Sequence, residues 1–105
     1  MRYVFLDKFD PSYFKYSFFK LLITKMKHDI LRELVFGSKN VECYINNKQL
    51  VDVLNNELGL ELKPSDRLYR YREGDVLFIV SLKYPRLDDI TLDDLDVWMI
   101  EVARK

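Results

Sequence analysis

The sequence predicts an α/β fold: a mixed β-sheet of five or six strands with two main helices and a short third. Three observations carry this. Asp75–Lys83 (DVLFIVSLK) is a nearly unbroken apolar run, as expected of a central strand buried on both faces. Val41–Gly59 (VECYINNKQLVDVLNNELG) switches from strand formers to apolar residues at helical spacing, at Leu50, Val51, Val53, Leu54 and Leu58. Several further short apolar runs are separated by Pro, Gly, Asn and Asp. The predicted order is β-β-α-β-α-β-β-(short α)-β over one domain, residues 1–105.

Arg2–Leu6 (RYVFL) reads as the first strand. Asp7–Ser12 is a loop, because Pro11 disfavours helix at Asp10 and the Asp and Ser side chains favour local turn bonds. Ser17–Ile23 reads as a second strand, with a buried helix segment as the alternative. Thr24 is the candidate N-cap of a helix over Lys25–Val35, with Met26, Ile30, Leu31, Leu34 and Val35 as its apolar stripe and Gly37 as its end. His28, the single histidine, falls off that stripe and reads as a solvated helix residue.

Val41–Ile45 is the next strand, Asn46-Asn47 breaks it, and Gly59 closes the helix that begins at Lys48. Leu60–Ser65 is a loop. Arg67–Arg72 (RLYRYR) alternates, Glu73-Gly74 is a turn signal, and together they predict a hairpin with Asp75–Lys83. Tyr84–Ile90 is a loop, Thr91–Asp94 is a capping box on a short helix, and Val97–Ala103 is the last strand. Two helices cannot cover both faces of such a sheet, so one face is expected to be open for dimerisation.

Lys+Arg and Asp+Glu are both 17, for a formal net charge of +0, which argues against broad binding to duplex nucleic acid. No apolar run is long enough to span a membrane. The one cysteine, Cys43, excludes an internal disulfide, suits a reducing cytoplasm, and reads as a small core residue. No partner His or Cys stands at metal-ligand spacing, and no cofactor is expected. Nor is there a Walker loop, a G-x-G-x-x-G, a C-x-x-C, an H-E-x-x-H or a G-x-S-x-G. The acidic pairs Asp88-Asp89 and Asp93-Asp94 read as solvated. What remains is a set of candidate phosphate partners: the turn Asn46-Asn47-Lys48, with a strand end and a helix start behind it, and Arg67 and Arg86. A plain strand–helix connection without a ligand is the competing reading of that turn.

Taken over nearly its full length, the pattern resembles the ring nucleases of archaeal viruses, the type III anti-CRISPR proteins. The first strand runs into Asp7-Lys8-Phe9-Asp10, where that family has an Asn-Ala-Phe-Ser-like loop. Ile23–Val35 is similar to its first helix, and Leu58-Gly59 closes a similar strand–turn–helix. Asp66-Arg67, then Glu73-Gly74-Asp75, precede the buried strand. Arg86-Leu87-Asp88-Asp89 follows it, where the family has Arg-Leu-Glu-Glu-like residues, and Val97–Val102 is similar to the closing strand. The resemblance implies a homodimer in the cytoplasm of an infected host cell, binding cyclic tetra-adenylate between subunits and needing no metal. It implies ligand contacts from Asp7, Phe9, Asn46, Asn47, Lys48, Arg67, Arg86 and Asp89.

One departure bears on activity. The family turn reads Gly-His, and the His is the general acid that protonates the leaving 5′-oxygen. Here the turn reads Asn46-Asn47. An amide cannot donate and recover a proton near neutral pH, and losing a general acid typically costs about 10²–10⁴ in rate. The expectation is therefore sequestration of a cyclic oligoadenylate or related small nucleotide, with no catalytic residue assigned. Two alternatives stand beside it. One is a nuclease with its acid relocated to His28, Tyr44 or Tyr84. The other is a module binding a host or viral protein through the aromatic segment Tyr13–Phe19.

Overall fold

The computed structural model describes residues 2–15, 19–83 and 89–103. Five strands form one mixed sheet: β1 (Arg2–Leu6), β2 (Lys20–Lys25), β3 (Val41–Cys43), β4 (Asp75–Leu82) and β5 (Leu95–Ala103). Two helices, α1 (His28–Val35) and α2 (Lys48–Leu58), complete the fold, with single 3-10 turns at Pro11–Tyr13 and Leu92–Asp94. The spatial order is β2-β5-β4-β1-β3. β1 is parallel to both β3 and β4, whereas β5 is antiparallel to β4 and β2.

Strand alternation sends side chains to two cores. On the helix face, Phe5, Phe78, Val80 and Val97 pack with Leu31 and Val35 of α1 and with Leu50, Val51, Leu54 and Leu58 of α2. On the opposite face, Val4, Leu6, Leu77 and Ile100 meet Tyr13, Phe14 and Tyr69. The face expected to be open is therefore roofed over part of its area by an aromatic layer. Tyr13 and Phe14 are buried there, so the described start of the aromatic segment is core and not a partner surface. Towards β2 and β5 the sheet is less covered, and Ile23 and Trp98 are 57% and 38% exposed.

Several expected boundaries shift. The second strand is Lys20–Lys25 and not Ser17–Ile23; residues 16–18 lie outside the described set. Thr24 is an exposed strand residue opposite Met99, and α1 starts at His28 behind Lys27. The reason is Met26: its N–H continues the pairing through Val97 O at 2.8 Å and its side chain is buried, so it joins the core from the strand side. Ile30 and Leu34, assigned to the buried stripe, are exposed; Leu31 and Val35 carry it.

The predicted hairpin is absent. Residues 60–72 form no regular element. Both edges of β4 are already taken, by β1 and β5, so Arg67–Arg72 has no edge to pair with. The segment crosses the aromatic face instead, tied by Ser65 N–H to Ile45 O and by Tyr71 N–H to Tyr13 O, both at 2.9 Å. Asn55 of α2 secures its start, donating to Leu62 O at 2.9 Å and accepting from Leu62 N–H at 2.7 Å.

His28 is not a solvated residue. Its Nε2 lies 2.8 Å from Leu95 O and its Nδ1 lies 3.6 Å from Asp93, which pins the start of α1 to the start of β5. The Thr91–Asp94 capping box is present, and Cys43 is buried, which pushes its thiol pKa up.

Candidate functional site

β1 and β3 run parallel, so their carboxyl ends open at the same side of the sheet, the side where α/β folds commonly hold ligands. Both strands stop there for local reasons. After Leu6 the chain turns through Asp7–Asp10 into a 3-10 turn, capped by Asp10, whose carboxylate accepts from Ser12 N–H at 2.9 Å. After Cys43 the chain bends through Tyr44–Asn46 into α2. Residues 65–70 close the third side. Together they bound a cavity of about 350 Å³, at the lower end of the roughly 300–1,000 Å³ of small-molecule sites.

The wall combines three kinds of group. Tyr13, Tyr44 and Tyr69 form an edge-on chain, with ring centroids 5.2 Å apart in both pairs. Lys8, Arg67 and Arg70 bring positive charge, and Asp7, Asp10 and Asp66 bring an equal number of carboxylates. The Arg67 guanidinium lies 4.8 Å over the Tyr44 ring, a cation–π contact. Its Nε donates to Ser65 Oγ at 3.1 Å and its Nη2 to Glu42 at 3.5 Å, which uses two of five N–H donors. The Ser12 N–H bond holds the Asp10 carboxyl below the usual range. Burial, with Asp10 and Asp7 nearby, pushes the Tyr13 phenol up. Its hydroxyl donates to Lys8 O at 3.1 Å.

Behind Tyr69 stands Asp75, the first residue of β4 and 5% exposed. It accepts from Arg2 Nε and Nη2 at 2.9 and 2.7 Å, from the Tyr69 hydroxyl at 2.6 Å and from Arg72 N–H at 3.1 Å. Burial alone would raise the Asp75 pKa, but these donors outweigh it and hold the carboxyl below its ordinary value. The same burial and bond push the Tyr69 phenol far up.

The sequence-predicted residues divide. Asp7, Asn46 and Arg67 line the cavity. Phe9 lies against Tyr13 and Phe14 at 6.3 and 6.0 Å and is 38% exposed. Asn47, Lys48 and Asp89 are not among the lining residues. Arg86 lies outside the described residues, as does Tyr84. Asn47 is the N-cap of α2: its Oδ1 accepts from Gln49 N–H at 2.9 Å and Leu50 N–H at 3.2 Å, so these helix-start donors already have an acceptor. Lys48 pairs with Asp52 at 3.1 Å. The turn thus serves α2 first. Asn47→Ala should lower unfolding stability by about 0.5–2 kcal/mol, and Asn47→His by a similar amount, since imidazole is a poor cap. Chemical denaturation measures this, and an unchanged midpoint would remove the capping role.

Sequence reasoning missed the tyrosine chain, Arg70 and Asp75. The alternation of Arg67–Arg72, which puts Arg67, Tyr69 and Tyr71 on one face of a strand, is the available signal, and burial does follow it at Tyr69. Among the described residues no group of three or more His, Cys, Asp or Glu is arranged to hold a metal, and no helix is long and apolar enough to cross a membrane.

No protein-family model matches this chain, and no curated protein matches its sequence. A solved structure does match its fold: B116 of Sulfolobus turreted icosahedral virus (STIV), with a TM-score of 0.76 and 13% sequence identity over 95% of this chain and 98% of that chain. At that identity the likeness establishes one thing, that this chain has the fold of the viral protein B116.

Proposed function

We propose that the chain binds a small nucleotide in the cavity beyond β1 and β3 and sequesters it without rapid cleavage. The observation that carries this reading is the Arg67 guanidinium stacked on Tyr44, with Lys8 and Arg70 on the same wall as three carboxylates. A bare anion would be served by cations alone. A nucleotide carries a phosphate for the cations, an aromatic base for the exposed Arg67–Tyr44 stack, and hydroxyl and amine donors for the carboxylates.

Within that class, the family resemblance and the fold shared with a viral protein favour cyclic oligoadenylate, cyclic tetra-adenylate first. The setting would then be an archaeal virus protein acting against type III CRISPR signalling in the cytoplasm of the infected cell. A ring of four nucleotides is large for one such cavity, so two copies would pool theirs in a homodimer. Leu68, an apolar wall residue left 84% exposed, is a candidate for that contact.

Sequestration is favoured over cleavage because no described lining residue is a His or Cys, His28 is held at Leu95 O, and Tyr44, a relocated-acid candidate that does line the cavity, has its ring under the Arg67 guanidinium. The protein-binding alternative loses part of its motive, since Tyr13 and Phe14 are buried.

Calorimetric titration with cyclic tetra-adenylate, followed by recovery of the ring, tests the reading. Saturable binding with the ring intact is expected. No heat and no thermal shift would overturn the ligand assignment, and prompt cleavage would overturn sequestration.

A further inference from the structure

We propose that Asp75 is a positioning residue for the cavity, acting through the Tyr69 hydroxyl to fix the wall formed by residues 65–70. Asp75 itself does not line the cavity. It starts β4 and stands in register with Arg2 of β1, so its backbone belongs to the central sheet. Its carboxylate gathers four donors: two from Arg2, the Tyr69 hydroxyl and Arg72 N–H. The first two come from the sheet. The last two come from the irregular segment that carries the wall.

That segment has no strand or helix ladder to define its path. Its backbone anchors are few: Ser65 to Ile45 at one end, and Tyr71 to Tyr13 and Asp75 N–H to Arg72 O at the other. Between Ser65 and Tyr71 the one fully inserted side chain is Tyr69, 2% exposed. Its ring touches Tyr13 on one side and Tyr44 on the other, and Tyr44 carries the Arg67 guanidinium. The hydroxyl at the ring's end reaches Asp75 at 2.6 Å, a charge-assisted length. The carboxylate thus sets the depth and tilt of the ring, and the ring sets the surface against which Tyr44 and Arg67 lie. Packing alone would keep Tyr69 buried; the bond to Asp75 selects one seat for it.

The geometry stands without a ligand, while its consequence for nucleotide affinity rests on the function proposed above. The test separates the two. Tyr69→Phe keeps the ring and removes the hydroxyl. Amide hydrogen exchange on the full chain should then speed up at least tenfold for residues 65–72 while α2 and β5 amides keep their rates. The effect should be smaller when Tyr69→Phe is added to Asp75→Asn, because the amide leaves the hydroxyl a neutral acceptor in place of the carboxylate.

Unchanged exchange in Tyr69→Phe would overturn the proposal. So would a uniform increase across the sheet, which would mean lost global stability, or full additivity of the two changes. If Asp75→Asn fails to fold, the comparison between residues 65–72 and α2 in Tyr69→Phe still decides. Cyclic tetra-adenylate titrated into both proteins reads the consequence: weaker binding by Tyr69→Phe links the wall to the ligand. Failure of the parent to bind it would overturn the nucleotide reading and leave the exchange result standing.

Discussion

Replacing Asp75 by alanine should lower the unfolding free energy by about 3–5 kcal/mol, the usual cost of stripping one partner from a buried ion pair. Three groups lose their acceptor together: the Arg2 guanidinium, the Tyr69 hydroxyl and Arg72 N–H. A small domain is typically stable by only about 5–15 kcal/mol, so the variant should lose a large share of its stability. Urea midpoints for parent and variant measure this, and a loss below about 1 kcal/mol would show the network to be idle.

The pH dependence has a definite sign. The Asp75 carboxyl titrates lower in the folded chain than in the unfolded one. Its contribution is therefore present above the ordinary Asp value near ~3.9 and is lost as pH falls through the lower folded value. Acidification below about pH 4 should weaken the parent steadily, and Asp75→Asn should show a shallower decline over the same interval.

Arg67→Ala should weaken nucleotide binding by about tenfold to a hundredfold, or about 1.5–3 kcal/mol, through loss of a charge-assisted bond and of the stack on Tyr44. Folding should hardly change. The Arg67 side chain is 60% exposed, and its pair with Glu42 is a loose 3.5 Å surface contact. Titration of cyclic tetra-adenylate into folded Arg67→Ala is the measurement. An affinity equal to the parent's would take Arg67 out of the site.

The strands that could be seen in advance were those whose own residues decide them. Arg2–Leu6 and the long run from Asp75 are apolar enough to be strands wherever they lie, and Asn47 and Gly59 bracket α2 by cap chemistry that needs no tertiary partner. At Gly59 the backbone adopts φ of 65°, which favours glycine, and an added Cβ would meet the ring of the exposed Phe36 at 2.6 Å and push it aside. Prediction failed where a distant partner decides. Met26 leaves a helical pattern because Val97 offers it a carbonyl, and Arg67–Arg72 is denied a strand because β1 and β5 have taken β4.

The site divides in the same way. Arg67 and Asn46 stand out by charge and turn chemistry, and Asp7 through the family resemblance alone. Tyr44, a candidate acid, and Tyr69 read as aromatics of two separate strands until the fold joins them into one wall, and Asp75 reads as the first residue of the buried strand until Arg2, 73 residues away, reaches it.

The order β2-β5-β4-β1-β3 also dictates a sequence of events. β5 follows every other strand along the chain, yet it sits between β2 and β4. β2 therefore has no edge to join until β5 has docked, although it emerges from the ribosome second. Until then its backbone donors wait in solvent, beside Leu22 and Ile23, which stay 57% exposed even in the folded chain, during an assembly made slow by pairings far apart in sequence. Lys20 and Lys25, at the two ends of that strand, suit such a wait, because like charges at both ends discourage it from pairing with another copy of itself.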